Sequence, residues 1–248
     1  MKREVYLPAF PLRIVSLVPS QTQLLHFLGL EDEVVGITKF CIHPDEWFNS
    51  KERVGGTKSI DIDKVKALKP DLIIGNKEEN ERKDIEALEE IAPVWMSDIY
   101  DLNDALKMIE SIGAITNKQN ESKQLTEAIE ANFNSLKKYQ KQRTVLYFIW
   151  NEPMMLAGPN TFIDAMLKEC GLINLAGSER YPEANGNENP DFVFLSSEPF
   201  PFSEKHQVEF RKRYPNSKVI LVDGEFFSWY GSKLKNAPVY FKELLSEL

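Results

Sequence analysis

Pro70-Asp-Leu-Ile-Ile-Gly-Asn-Lys-Glu78 and Pro190-Asp-Phe-Val-Phe-Leu-Ser-Ser-Glu198 share one form: Pro-Asp, an apolar run, a few variable positions, then Glu at the same distance. Short apolar runs of this kind, bounded by turn residues, read as buried strands of a parallel sheet. Other features recur in the same order around them. A strand-then-helix pattern runs into Gly29-Leu30 and again into Gly171-Leu172, and later strands end near Asp98 and Asp223. The shared order argues for two similar α/β lobes. In a parallel sheet the ligand side lies beyond the carboxyl ends of the strands. Glu78 and Glu198 are therefore expected just past equivalent strand ends, one per lobe, bordering a cleft.

The rest of the chain alternates apolar runs with amphipathic stretches, the pattern of α/β architecture. Strands are expected at Arg13–Val18, Val34–Ile37, Leu72–Gly75 and Pro93–Met96, then at Thr144–Ile149, Phe192–Leu195 and Lys218–Val222. Helical patterns cover Gln21–Leu28, Ile62–Leu68, Glu81–Glu90, Asp101–Ile115 and Ala237–Leu245. Asn117–Gln142 has no Gly or Pro, and Leu125, Ile129, Phe133, Leu136 and Tyr139 fall on one helical stripe. It reads either as an ordinary surface helix or as a spine between lobes, and α/β units on both sides favour the spine. The expected organisation is an N-terminal α/β lobe over 1–116, a connecting helix over 117–142 and a C-terminal α/β lobe over 143–248. The fold class is α/β: two Rossmann-like lobes with mainly parallel sheets joined by one long helix.

Length and composition agree. At roughly 150 residues per domain, 248 residues make between one and two domains. A hydrophobic share of 42% supports a sizeable core, and 27% charged residues of both signs exclude a low-complexity chain. A net charge of −8 makes nucleic acid or an anionic membrane a poor partner. The 2 cysteines exclude a disulfide-dense scaffold and a four-cysteine zinc site. Neither Val145–Trp150 nor Val219–Val222 approaches the ~18 apolar residues of a membrane span. Lys2 and Arg3 precede an apolar stretch, but Glu4, Pro8 and Pro11 argue against a secretion signal. Met1–Leu12 is expected to be an extended surface arm or first strand. The protein is either cytosolic or a mature chain freed of its leader.

Catalytic motifs are missing from the sequence. Gly55-Gly-Thr-Lys58 lacks the phosphate-loop spacing, and neither Gly-x-Gly-x-x-Gly nor Gly-x-Ser-x-Gly occurs. His26 reads as a helix-packing residue and His206 as a solvated one. Cys41-Ile-His43 is either a fragment of a metal or nucleophile site or a turn after a strand. Aromatics are more informative: Trp150 ends a strand, and Phe226-Phe-Ser-Trp-Tyr230 follows the strand ending at Asp223. Both lie where a parallel sheet places ligand, and apolar lining with polar tips suits small-molecule recognition.

Arg13-Ile-Val-Ser-Leu-Val-Pro-Ser20, Ala67-Leu-Lys-Pro-Asp-Leu-Ile-Ile74, Lys168-Glu-Cys-Gly-Leu172 and Trp229-Tyr-Gly-Ser232 together resemble the helical-backbone (class III) periplasmic binding proteins of ABC importers. The resemblance runs from about Leu12 to Leu248 and is nearest the cobalamin-binding branch. It implies a non-enzymatic protein without a cofactor, monomeric, that captures vitamin B12 or a related corrinoid or metal chelate and delivers it to a permease with its ATPase. Pro19, Ser20, Lys39, Phe40, Gly56, Thr57 and Asn76 would line the first lobe's side. Trp150, Asn151, Phe227, Trp229 and Tyr230 would line the second. Glu79 or Glu81 and Glu183 would dock the permease. Asn76 stands where cobalamin receptors often carry Trp, and Tyr181–Asn189 is short and polar where relatives place a helix. The resemblance implies the periplasm or cell envelope. A ferric-siderophore or haem receptor is the alternative ligand reading, with Tyr230 as the haem ligand, and a cytosolic corrinoid carrier or sensor the alternative role.

Overall fold

The structure is a computed structural model that describes residues 5–248. The opening Met1–Glu4 of the expected arm lies outside the described residues. Val5–Leu12 is an arm and not a strand: Tyr6, Phe10 and Leu12 are exposed, with no regular structure. The described residues form two compact units. The first comprises residues up to Ile99, Asn103–Ala128 and Tyr230–Lys233; the second comprises Tyr100–Leu102, Ile129–Trp229 and Leu234–Leu248.

In the first unit the elements are β1 (Ile14–Ser16), α1 (Pro19–Phe27), β2 (Val34–Ile37), α2 (Asp45–Ser50), β3 (Glu52–Arg53), β4 (Gly55–Gly56), β5 (Ser59–Ile60), α3 (Ile62–Leu68), β6 (Leu72–Asn76), α4 (Arg82–Glu89), β7 (Val94–Ser97) and most of α5 (Leu102–Ile115). The sheet order is β3-β2-β1-β6-β7, all parallel, with β4 and β5 a separate antiparallel pair. β1 and β6 are buried along their whole length, as strands covered on both faces must be. The Lys-Pro-Asp segment has a direct physical basis. Lys69 takes a left-handed φ of 48° and stops α3, and Pro70 cannot continue it. The Asp71 carboxylate then accepts the Leu12 and Arg13 backbone N–H groups, both at 2.8 Å. The Arg13 guanidinium donates to the Leu68 carbonyl at 2.7 and 2.9 Å, covering the negative end of α3.

Helix α6 (Gln119–Ser135) begins in the first unit and ends in the second. It is shorter than the expected 117–142. Asn117, at φ 58°, separates it from α5. Leu125, Ile129 and Phe133 form its buried stripe as the spacing predicts. Leu136 and Tyr139 lie beyond its end, because the Tyr139 N–H is drawn to the Cys170 carbonyl (2.9 Å) and its ring to Phe192.

The second unit holds β8 (Arg143–Trp150), β9 (Met155–Leu156), α7 (Phe162–Glu169), β10 (Leu172–Asn174), β11 (Phe192–Ser196), α8 (Glu204–Arg213), β12 (Lys218–Val222), α9 (Glu225–Ser228) and α10 (Ala237–Ser246). Its order is β10-β8-β11-β12, parallel, with β9 antiparallel on β8. This is the β2-β1-β6-β7 order over again, so the sequence echo is an echo of topology. Asp191 does for β8 what Asp71 does for β1. It accepts from the Thr144 N–H (2.8 Å), the Thr144 hydroxyl (2.9 Å) and Arg143 (2.5 Å) at the start of the strand. The short strands β3, β4, β5, β9 and β10 escape a sequence reading because two or three residues carry no periodicity. His206 is not solvated. It is 6% exposed, accepts the Ser203 N–H at Nδ1 (3.0 Å) as half of a capping box on α8, and its ring packs on Phe200 and Phe202. Among the described residues, no helix is long and apolar enough to cross a membrane.

Candidate functional site

Each sheet has a topological switch point, where the chain leaves one side of a strand and returns on the other: between β1 and β6 in the first unit, between β8 and β11 in the second. Crevices beyond the carboxyl ends at such points are where open α/β sheets bind ligands.

In the first unit a buried amide and hydroxyl network occupies this position. Ser97 Oγ accepts from Gln21 Nε2 (2.6 Å) and Asn76 Nδ2 (2.9 Å) and donates to the Gly75 carbonyl. Asn76 Oδ1 accepts the Glu78 and Glu79 N–H groups, and the Asn76 N–H donates to Asn80 Oδ1. Asn76, 2% exposed, thus shapes the loop after β6 with both polar atoms of its side chain. Pro19 opens α1 beside buried Ser20. Lys39 and Phe40 are exposed, with the ammonium 5.1 Å from the ring centre. Gly56 is buried where an added Cβ would sit 2.9 Å from Ser59 Oγ, and the neighbouring Thr57 carbonyl accepts from Asn80 (3.0 Å). Tyr230 belongs here and not with the second unit, where the sequence grouping puts it. It is 6% exposed, and burial pushes its hydroxyl well above its ordinary pKa.

The Cys41-Ile-His43 pair resolves toward structure. Cys41 is fully buried, with its Sγ 3.1 Å from both the Thr22 and Thr38 hydroxyls. Burial pushes the thiol up, so it stays protonated, which is the opposite of what a nucleophile or metal ligand needs. Among the described residues no group of three or more His, Cys, Asp and Glu gathers in a metal-holding arrangement.

In the second unit Trp150 ends β8 with 42% of its surface exposed, its Nε1 donating to the Glu152 carbonyl (3.0 Å) and its ring edge-on to Phe200. Asn151 beside it is half-buried. Trp229, which the sequence places on the ligand side, is only 6% exposed: it follows α9 and donates from Nε1 to Glu198 Oε1 (3.0 Å), which the Ser228 hydroxyl also reaches. Desolvation, with smaller contributions from Glu225 and Asp223, raises the Glu198 carboxyl above its ordinary pKa. Phe227 is 0% exposed and packs among Tyr147, Phe194 and Phe241, so in this structure it stands in the core. Of the carboxylates expected at a docking surface, Glu81 and Glu183 are exposed and Glu79 is half-buried. Sequence reasoning places Glu198 beyond its strand but misses its bond to Trp229, which only the fold of a loop thirty residues on creates. It also misses Gln21 and Ser97, whose polarity carries no motif.

The family model described as periplasmic binding protein matches residues 14–200 of this chain. Among curated proteins, the chain is 26% identical over 208 residues to the ABC transporter substrate-binding lipoprotein YvrC of Bacillus subtilis (strain 168), covering 77% of this chain and 65% of that protein. It is 25% identical over 194 residues to the vitamin B12-binding protein of Vibrio campbellii, covering 74% and 70% respectively. The chain thus spans about two thirds of the length of these relatives. Among solved structures, the periplasmic heme-binding protein HutB of Vibrio cholerae shares the fold at a TM-score of 0.79 and 19% identity, over 95% of this chain and 98% of that one.

Proposed function

This chain belongs to the periplasmic binding protein family, and from that premise we propose that it is the substrate-binding component of an ABC importer, with cobalamin or a related corrinoid as its ligand. The observation that carries the ligand class is Trp150: a large aromatic surface left 42% exposed at the carboxyl end of β8, at the switch point, suited to a flat macrocycle. The relatives support the role, since one is described as an uncharacterized ABC transporter substrate-binding lipoprotein and another as a vitamin B12-binding protein. They also support the cell envelope as its place of work.

Haem is the second reading, and the residue the sequence offers for it is poorly placed. Its iron needs an axial His or Tyr from the protein. Tyr230, the sequence candidate, is buried against Ser20; His206 is committed at Nδ1 to its helix cap; His26 Nε2 lies 2.8 Å from Glu46. A corrinoid brings its own axial base, so it asks the protein for contact surface and not for a metal ligand. The chain acts by binding and not by catalysis, and Glu79, Glu81 and Glu183 are the carboxylates proposed to meet the permease. The test is the absorbance spectrum of protein exposed to cyanocobalamin, haemin and a ferric chelate, then freed of excess by gel filtration. Retained corrinoid bands support the reading. A retained Soret band with no corrinoid moves the ligand to haem, and retention of none removes the proposed ligand class.

A further inference from the structure

The two tryptophans of the second unit are anchored differently. Trp150 donates its indole N–H to a backbone carbonyl, that of Glu152, two residues on. No side-chain change can withdraw that acceptor. Trp229 donates to a side chain, Glu198 Oε1, across 31 positions of sequence. The same oxygen receives the Ser228 hydroxyl, which also reaches the Gly224 carbonyl, so the turn of α9 before the tryptophan converges on one carboxyl group.

Glu198 is itself well fixed. Its backbone carbonyl accepts the Ser196 hydroxyl (2.6 Å) at the end of β11, and its N–H faces the same oxygen (3.3 Å). A Cβ added to Gly224 would fall 2.7 Å from Glu198 Cγ, so the absence of a side chain at 224 makes the room that Glu198 occupies. Two residues along the loop, Phe200 packs against Trp150. One short loop therefore touches both indoles, and Glu198 is the group in it that fixes an indole by hydrogen bonding.

We propose that Glu198 is a positioning residue for the loop behind the exposed Trp150 surface: its Oε1, held at the end of β11, fixes the buried Trp229 indole through the hydrogen bond to Nε1, and so pins the loop whose Phe200 backs Trp150. What matters to the indole is the acceptor: burial, with smaller contributions from Glu225 and Asp223, raises the pKa of this carboxyl, and ionised or neutral it accepts through Oε1. The consequence for binding rests on the corrinoid reading above; the consequence for Trp229 itself does not.

The experiment compares Glu198→Gln, which keeps the acceptor and drops the charge, with Glu198→Met, which keeps the length and drops the acceptor. Each is made in the parent and in Trp229→Phe. Near-ultraviolet circular dichroism and indole emission of the ligand-free protein are read first. The expected result is a parent-like spectrum for Gln, a changed one for Met, and no difference between Gln and Met once Trp229 is Phe. Should Met fold poorly, Glu198→Leu, which also lacks the acceptor, reads the same bond by the same spectra. Cyanocobalamin titration follows, with Met expected to bind about tenfold more weakly and Gln within about twofold of the parent. A Met spectrum identical to the parent's, or a Gln spectrum that shifts as far as Met's, overturns the proposal. A parent that fails to bind cyanocobalamin overturns the corrinoid reading, and the spectra then judge Glu198 alone.

Discussion

Replacing Phe227 with Ala separates a core residue from a ligand contact. The sequence puts Phe227 in the aromatic run that lines the site, yet its ring is 0% exposed. The ring centres of Phe241, Tyr147, Phe194 and Tyr240 lie 4.8, 5.1, 6.2 and 6.3 Å away. All fall in the range where aromatic pairs contribute about 0.5–1.5 kcal/mol beyond simple burial. Truncating a fully buried Phe costs about 3–5 kcal/mol, and a site walled by rigid rings collapses poorly, which puts the expected loss in the upper half of that range. Urea unfolding followed by near-ultraviolet circular dichroism reads it as a lower midpoint at unchanged slope. Cyanocobalamin affinity of the folded variant should change by less than about threefold, because the ring has no solvent-facing surface to offer. A loss under about 1 kcal/mol together with a tenfold or greater loss of affinity would take Phe227 out of the core and return it to the ligand surface.

Other expectations follow from the same contacts. Asp191→Ala should cost about 1–3 kcal/mol, since it strips acceptors from Thr144 and Arg143 at the head of β8. The Asp191 carboxyl is held below its ordinary pKa, chiefly by the Thr144 N–H, so the unfolded chain takes up its proton first as pH falls. Its contribution is present above the ordinary carboxylate pKa and lost on acidification, and the variant should show a flatter acid limb in urea midpoints as pH falls from about 5 toward 2; an unchanged limb counts against this. Cys41 and Cys170 are both free and buried, with both thiols pushed up by desolvation. They should react slowly with a thiol reagent in the native protein and rapidly as a pair in denaturant without reductant; no reactive thiol in denaturant would contradict free cysteines.

The legible parts of this chain are those where local chemistry and fold agree. The Pro-Asp strands can be read because a helix stop, a Pro and a buried apolar run fall close together in sequence. Their Asp side chains fasten β1 and β8 in matching ways for the same reason. Helix α6 ends short of its compositional pattern because composition says nothing of a distant carbonyl: Cys170 captures the Tyr139 N–H and ends the helical path. His206 reads as solvated because a polar helix hides a cap whose ring packs on Phe200 and Phe202, both contributed by the preceding loop. In the site, Trp150 is legible as an aromatic at a strand end. Phe227 and Tyr230 show the limit of that rule, since a run of aromatics in one loop can send its members into different packing. Which residue anchors Trp229 depends on two loops after parallel strands meeting, and nothing near Glu198 in sequence announces it.

Corrinoid capture is the property on which the functional reading depends, and calorimetric titration of the full chain with cyanocobalamin decides it. Saturable binding of one equivalent is expected, with quenching of indole emission, weakened by about 1–3 kcal/mol in Trp150→Ala. Heat that never saturates, with emission unchanged at a ligand excess and the protein shown to be folded, would rule corrinoid capture out.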